Sequence, residues 1–536
     1  MSAARILNRR QSFGLAAWAV LGAGCDARST DPQAPPAQAA ASNPPPPQPT
    51  VPPEFAGLSD PVALRFYEQR SWRPAWTPDM ARALTGGLGE ARRHGLDHVA
   101  FAPKTSPGAA PVEKDIGLTL TALRYARALS CGHVDPRTIE KVFTLERNEV
   151  DLAAGLEQAL AGGKLADWLA SLPPSDAEYK ALSAAYQGSA CQAGPASASD
   201  QPASTESPAP QNAPAQSPPA QSPPAESPPV QRPPDDNAPK EGAPQEPAPK
   251  SGAPSQSAPS QSAPSESAPT ESPPGEGPPA ADAAKHHAVA PADRTRQLAA
   301  NLERRRWLAR TPPATRIDVN TAACFLAYLR PDTPPWATRV VDGKPGHETP
   351  SIQASFRRLV ANPPWRVPMD IARKEIFTKG RGYLSREHMR VVDGQVVQQP
   401  GPHNSLGLVK FDVQDAYEIY LHDTPAKSLF ALPNRHKSHG CVRVQNAVGF
   451  ARLLAGQAGK ADAFSKALGS GKTREVELGE AIAVRLLYHT AYADESGQVT
   501  FVLDAYGWND KLASALGLHD GGAGSHTEEP DVDVGP

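Results

Sequence analysis

Between residues 194 and 290 the chain consists almost entirely of Pro, Ala, Ser, Gln and Glu. Residues 201–280 alone hold 24 prolines, and near 253–272 the sequence repeats with a five-residue period, APSQS, APSQS, APSES, APTES. Proline fixes φ and lacks an N–H, which bars it from helix interiors and central strands. With essentially no aromatics, no apolar area offsets the entropy of ordering, so the segment is predicted to be disordered with polyproline character. A Pro/Ala/Gln-rich stretch at 26–54 reads as a tether, with 10 more prolines between 32 and 53. These two stretches hold more than half of the 61 prolines in 536 residues. The foldable material therefore lies in 55–193 and beyond 290, and the chain reads as modular.

The charge balance, 54 basic against 57 acidic residues, gives no electrostatic case for nucleic acid as a partner. Glycine shows no three-residue period, which excludes collagen, and the absence of a run of ~18 apolar residues excludes a polytopic membrane protein. Arg9-Arg10, then Gln11-Ser12-Phe13 and a short apolar run from Gly14 to Gly24, read as an export signal over residues 1–25. The paired arginines resemble a twin-arginine signal, and an ordinary secretory signal shares the pattern. Leu21-Gly22-Ala23-Gly24-Cys25 resembles a lipoprotein cleavage box, with the leucine four places before the cysteine instead of three. The expectation is an exported protein of the periplasm or cell envelope, either anchored to a membrane through acylated Cys25 or cleaved nearby and released. Four further cysteines remain, Cys131, Cys191, Cys324 and Cys441. An oxidising compartment permits a Cys131–Cys191 disulfide, and two buried thiols are the alternative.

Apolar periodicity predicts helices over Met80–Arg93, Ile116–Ser130, Val150–Leu160, Leu165–Leu172 and Asp176–Tyr186, so 55–193 is mostly α. Arg294–Leu308 reads as a cationic amphipathic helix whose Arg304-Arg305-Arg306 is expected on a solvated face, with anionic lipid or wall polymer as the sharper alternative. Trp72 and Trp76 are read as core packing. Short β-like runs follow at Thr315–Asn320, Phe325–Leu329, Trp336–Val341, Glu418–Leu421, Ala481–Leu487 and Val499–Leu503, with a helix at Ala447–Leu454. The Gly/Asp-rich end is expected to fray over 516–536.

Chemistry concentrates between 422 and 443. The sequence reads His422-Asp423-Thr424-Pro425 and, later, Asn434-Arg435-His436-Lys437-Ser438-His439-Gly440-Cys441-Val442-Arg443. A cysteine nucleophile needs a base or a cationic neighbour, and fifteen residues separate His422 from Ser438. Gly440 lets the backbone approach a substrate and leaves main-chain N–H groups for an oxyanion. Arg443, two residues on, shares the side of a strand with Cys441.

A histidine, a spacer and Ser-His-Gly-Cys resemble the L,D-transpeptidase catalytic domain. Supporting stretches are Gln399-Pro400-Gly401-Pro402, Asn404-Ser405-Leu406-Gly407, Lys410-Phe411 and Tyr420-Leu421-His422-Asp423-Thr424-Pro425. Asn362-Pro363-Pro364-Trp365, Asn301-Leu302-Glu303-Arg304 with Trp307, and Phe66-Tyr67 with Trp72 and Trp76 resemble the large multidomain subtype and its helical scaffold, as do Tyr488-His489-Thr490-Ala491 and Asp504-Ala505-Tyr506-Gly507. The resemblance implies an α+β multidomain chain. Its parts are a scaffold at 55–193, a disordered insert at 194–290, a returning scaffold helix at 291–314 and a β-rich, β-sandwich-like catalytic domain at 315–515, with a mobile lid at ~373–400. In that subtype a small peptidoglycan-binding helical module sits where this chain has its proline-rich insert, so the insert is expected to be a closed loop within one scaffold.

The resemblance also implies peptidoglycan stem peptides as substrate, no cofactor, no metal and a monomer. Cys441 would be the nucleophile and His422 the base, oriented by Asp423 or a main-chain carbonyl. His439 and the N–H groups of Gly440 and Cys441 would face the oxyanion. Arg443, Ser438, Asn404, Tyr420 and Asp423 are the expected substrate-binding residues. Transpeptidation to 3→3 crosslinks and L,D-carboxypeptidase hydrolysis need the same Cys441 and His422, and a non-catalytic wall-binding scaffold is a third reading. Zinc on His436, His439 and Cys441 is the metal alternative, and His347, His388 and His403 are read as surface residues.

Overall fold

The computed structural model describes residues 51–191, apart from 104, 105 and 107, and residues 291–518. The export signal, Cys25, nearly all of the first tether, the 194–290 insert and the tail beyond 518 lie outside the described residues.

Among the described residues seven helices build the first layer: α1 (Pro61–Gln69), α2 (Pro78–Gly89), α3 (Pro111–Cys131), α4 (Leu152–Ala161), α5 (Leu165–Ser171), α6 (Ala177–Cys191) and α7 (Pro291–Trp307). Their starts follow capping rules. The Asp60 carboxylate accepts the N–H groups of Val62 and Ala63 ahead of a proline at the first helical position, Thr77 accepts the Met80 N–H ahead of Pro78 of α2, and Asp151 accepts the Ala154 N–H of α4. Phe66, Tyr67, Leu129, Leu156, Leu182, Leu298 and Trp307 form one buried core. Trp72 and Trp76 pack against it, and the Trp76 indole donates to Thr119, so both are packing residues as expected.

One open alternative and one expectation meet the structure here. Cys131 carries a free thiol that donates to the carbonyl of Asn148. The arginine run of α7 is not a solvated face. Arg306 is fully buried against Glu303, Arg304 is 2% exposed, donates to Asn509 and lies over the Tyr488 ring, and Arg305 pairs with Asp176 and Glu178. The helix lies within the protein and not on its skin, because each guanidinium finds a polar partner there.

The C-terminal half is built on one nine-stranded sheet. Its strands are β1 (Arg316–Asn320), β2 (Phe325–Arg330), β3 (Thr333–Gly343), β4 (Gln353–Ala361), β8 (Val409–Phe411), β9 (Leu421–His422), β10 (His436–Ser438), β11 (Val442–Val444) and β12 (Arg474–Leu487). Their order is β10-β3-β11-β9-β8-β4-β12-β1-β2, and β2 also pairs with β3, so the ladder closes on itself and refines the sandwich-like expectation. Helices α8 (Ala447–Gln457) and α9 (Ala461–Gly469) accompany this sheet. Phe450, Leu454 and Phe464 share its core with Val319, Phe411, Leu421 and Val442.

Residues 365–406, which include the expected lid, form a small unit of their own. It holds β5 (Trp365–Arg366), β6 (Met389–Val392) and β7 (Gln395–Gln398), a π-helical turn at Ala372–Ile376, and a core of Trp365, Val367, Ile371, Ile376, Met389, Val396 and Leu406. The short hairpin β13 (Ala491–Ala493) and β14 (Val499–Phe501) leads to α10 (Trp508–Ala515). Tyr488, Val502, Tyr506, Trp508, Leu512 and Leu516 belong to the helical core. The final described residues thus pack in the helical core.

Candidate active site

Strands β9 and β11 run parallel, with Leu421 opposite Val442 and His422 opposite Arg443. Leu421 and Val442 are fully buried in the sheet core. The pleat therefore sends Tyr420, His422, Cys441 and Arg443 to the opposite face, where they form one cluster.

The His422 Nδ1 lies 2.5 Å from the main-chain oxygen of Asp423. A carbonyl only accepts, so Nδ1 carries the proton and Nε2 keeps its lone pair. Burial, and secondarily the Arg443 guanidinium, push the imidazole pKa down to about 3. The half-buried Cys441 thiol is pushed up to about 11 by burial, against the opposing effects of the Tyr420 backbone and Arg443. Near neutral pH the thiol and the imidazole on this face are both uncharged, and the imidazole keeps a free lone pair. The Cys441 Sγ is 3.7 Å from the carbonyl of Glu418, which sits in the left-handed region at φ 57°. Asp415 holds that turn by accepting the N–H groups of Tyr417 and Ile419.

The remaining candidates divide into groups that face the cluster and groups that build it. The Asp423 carboxylate accepts the Leu408 N–H and pairs with Lys427, while only its carbonyl serves His422. Tyr420 carries the Lys410 ammonium 4.2 Å from its ring centroid. The Ser438 hydroxyl donates to the Cys441 carbonyl at 2.6 Å and accepts the Gly440 N–H at 3.1 Å. The Gly440 N–H expected to face an oxyanion is thus already satisfied, and Ser438 folds the loop. Asn404 is also a folding residue. Its amide donates to the carbonyls of Gln398 and Gln399 and accepts the Leu406 N–H, all within its own turn. Arg443 is 5% exposed, and its guanidinium meets no acceptor among the described residues.

His439 lies 2.7 Å from Glu375 of the π-helical turn and packs edge-on against His347 at 4.8 Å. Burial lowers its pKa, Glu375 opposes that shift, and His347 and Lys344 add to it. His347, read as a surface residue, is half-buried beside the motif, whereas His388 and His403 are exposed and stack on one another. His436 turns away to the Thr321 carbonyl and the buried Cys324 thiol, so it shares no site with His439 and Cys441. Among the described residues no group of three His, Cys, Asp or Glu side chains could hold a metal ion.

Thr349, Tyr506 and Glu375 were missed by sequence reasoning. Thr349 and Glu375 lie in no motif, and Tyr506 lies in Asp504-Ala505-Tyr506-Gly507, which supports the resemblance without pointing to the site. The one signal is Gly343, where a Cβ would lie 2.1 Å from the His347 carbonyl, marking a tight turn that brings Thr349 back to the catalytic loop.

Two family models match the chain. Residues 62–185 match the Scaffold domain family, and residues 314–463 match the L,D-transpeptidase catalytic domain family. A Haemophilus influenzae protein, named provisionally as an L,D-transpeptidase, is 28% identical over 220 residues, which cover 37% of this chain and 45% of the relative. The chain thus spans less than half the length of that curated relative. It carries an L,D-transpeptidase catalytic domain in its C-terminal half and a Scaffold domain in its N-terminal half.

Proposed function

We propose that the chain is a peptidoglycan L,D-transpeptidase that forms 3→3 crosslinks. The observation that carries this reading is the neutral His422, its Nδ1–H spent on Asp423 and its Nε2 free, on the same face as Cys441. In the acylation step the Cys441 sulfur bonds to the carbonyl carbon between the third residue of a tetrapeptide stem, a diamino acid, and its terminal D-alanine. The thiol proton passes to His422, the carbon–nitrogen bond breaks, and D-alanine leaves with that proton. In the second step the side-chain amine of an acceptor stem attacks the thioester, His422 takes its proton, and the thiol is restored. Arg443, buried and without a carboxylate partner among the described residues, stabilises negative charge on sulfur as it develops. The substrate lies in the cell wall, so the protein works outside the cytoplasmic membrane, and the Cys25 region would be its membrane attachment. No helix of the described residues is long and apolar enough to cross a membrane.

Incubation with purified tetrapeptide muropeptides, followed by mass spectrometry, tests this reading. D-alanine release with 3→3 dimers is expected, and both should disappear in Cys441→Ala. Tripeptide monomers without dimers would replace the transpeptidase reading with an L,D-carboxypeptidase.

A further inference from the structure

The peptide linking Gly440 to Cys441 is held from outside the catalytic motif. The Thr349 hydroxyl donates to the Gly440 carbonyl at 2.8 Å and accepts the Gly343 N–H at 2.9 Å. Ser438 satisfies the Gly440 N–H and the Cys441 carbonyl. Of the four backbone groups on these two residues, only the Cys441 N–H meets no partner among the described residues. In a trans peptide the N–H points opposite to the preceding C=O. Fixing the Gly440 carbonyl toward Thr349 therefore aims the Cys441 N–H the other way. Gly440 has φ +112°, a conformation that only glycine adopts readily, so the peptide would otherwise be free to rotate.

Thr349 is itself clamped. The Tyr506 hydroxyl accepts the Thr349 N–H at 3.2 Å and donates to the Gly343 carbonyl at 2.8 Å. Its ring stacks on Tyr488 at 4.9 Å inside the helical core, and its own N–H donates to the Tyr488 hydroxyl, which in turn donates to Asp504.

We infer that Thr349, braced by Tyr506, is the positioning residue that aims the Cys441 N–H at the oxyanion formed during acylation. This rests on Cys441 being the nucleophile of the proposed function, and it adds the device through which scaffold packing reaches the reacting carbonyl. A single oxyanion donor is worth about 10²–10³ in rate, and loosening one by a fraction of an ångström forfeits a large share of that.

The test uses two probes of Cys441 on the full chain. p-Nitrophenyl acetate acylates the thiol: sulfur bonds to the acetyl carbon, p-nitrophenolate leaves, and the proton passes to His422, through an oxyanion. Iodoacetamide alkylates the same sulfur, displacing iodide with no oxyanion. Thr349→Val should slow acylation at least tenfold while changing alkylation less than about twofold, and Thr349→Ser should restore it; these thresholds follow from the donor's worth above. Tyr506→Phe should fall between the two. An equal loss of both reactions, or no loss of acylation, would overturn the inference, as would wild-type acylation no faster than that of a free thiol. Neither probe requires peptidoglycan, so failure with muropeptides while this discrimination persists would count against the proposed function alone.

Discussion

The fully buried ion pair of α7 makes a quantitative test of how the scaffold is held. Both side chains are 0% exposed, and the Glu303 carboxylate also accepts the Val134 N–H at 2.7 Å and the Trp307 indole N–H at 3.2 Å. Arg306 further donates to the His94 carbonyl at 2.6 Å and to the Tyr179 hydroxyl at 3.0 Å, both neutral. Glu303→Gln keeps an acceptor for Val134 but strands a guanidinium in the core without a counter-charge. Breaking such a pair costs about 3–5 kcal/mol. Glu303→Gln combined with Arg306→Met removes both charges at similar volume and should cost less than Glu303→Gln alone. Urea denaturation followed by tryptophan fluorescence reads the loss as a shift in midpoint at constant slope. A cost for Glu303→Gln below ~1 kcal/mol, the range of exposed pairs, would refute the reasoning. So would a double variant less stable than the single.

The site chemistry predicts a pH profile. With His422 held at about 3 and Cys441 at about 11, acylation by p-nitrophenyl acetate should be flat between pH ~5 and ~9, and a step near the usual histidine pKa of ~6.5 would mean a charged resting imidazole. The unfolded chain protonates His422 and His94 below pH ~6.5 and the folded one does not, so their contribution to stability is intact above that pH and falls as the pH drops toward 3; pH-dependent denaturation midpoints check the direction. At Gly132, with φ +91°, an added Cβ would lie 2.5 Å from Trp307 Cδ1 and 2.7 Å from Glu303 Oε1, so Gly132→Ala should cost about 1–3 kcal/mol by denaturation, and a neutral result would contradict that packing. Deleting 201–280 should preserve folding and Cys441 alkylation, since Ser189 and Thr295 meet at 3.1 Å on α6 and α7, 106 residues apart in sequence. The shorter loop should add about 1 kcal/mol of stability, and loss of folding would mean that the insert carries structure.

What was legible in the sequence was local. His422, Ser438-His439-Gly440-Cys441 and Arg443 are neighbours through a motif and a strand period, and the longer apolar runs set α3, α7, β1, β2 and β12. Two kinds of information stayed hidden. A hydrogen bond such as Thr349 to Gly440 depends on two distant segments meeting, and neither advertises it. The burial of Arg304 and Arg306 depends on which carboxylate or carbonyl each finds, and composition sees only their charge. Short strands such as β9, two residues long, carry too little pattern to read, although the register of β9 with β11 places His422.

The return of residues 488–516 to the helical core has a consequence for the order of assembly. Every residue of the closed sheet has been laid down by Leu487, but Tyr506, which braces the catalytic loop, follows it. Gly517 lies against the His98 backbone, a contact that spans most of the chain and forms late on loop-closure grounds. A chain ending at Leu487 would hold its thiol and its base, and would still lack Tyr506, the brace behind the Cys441 amide.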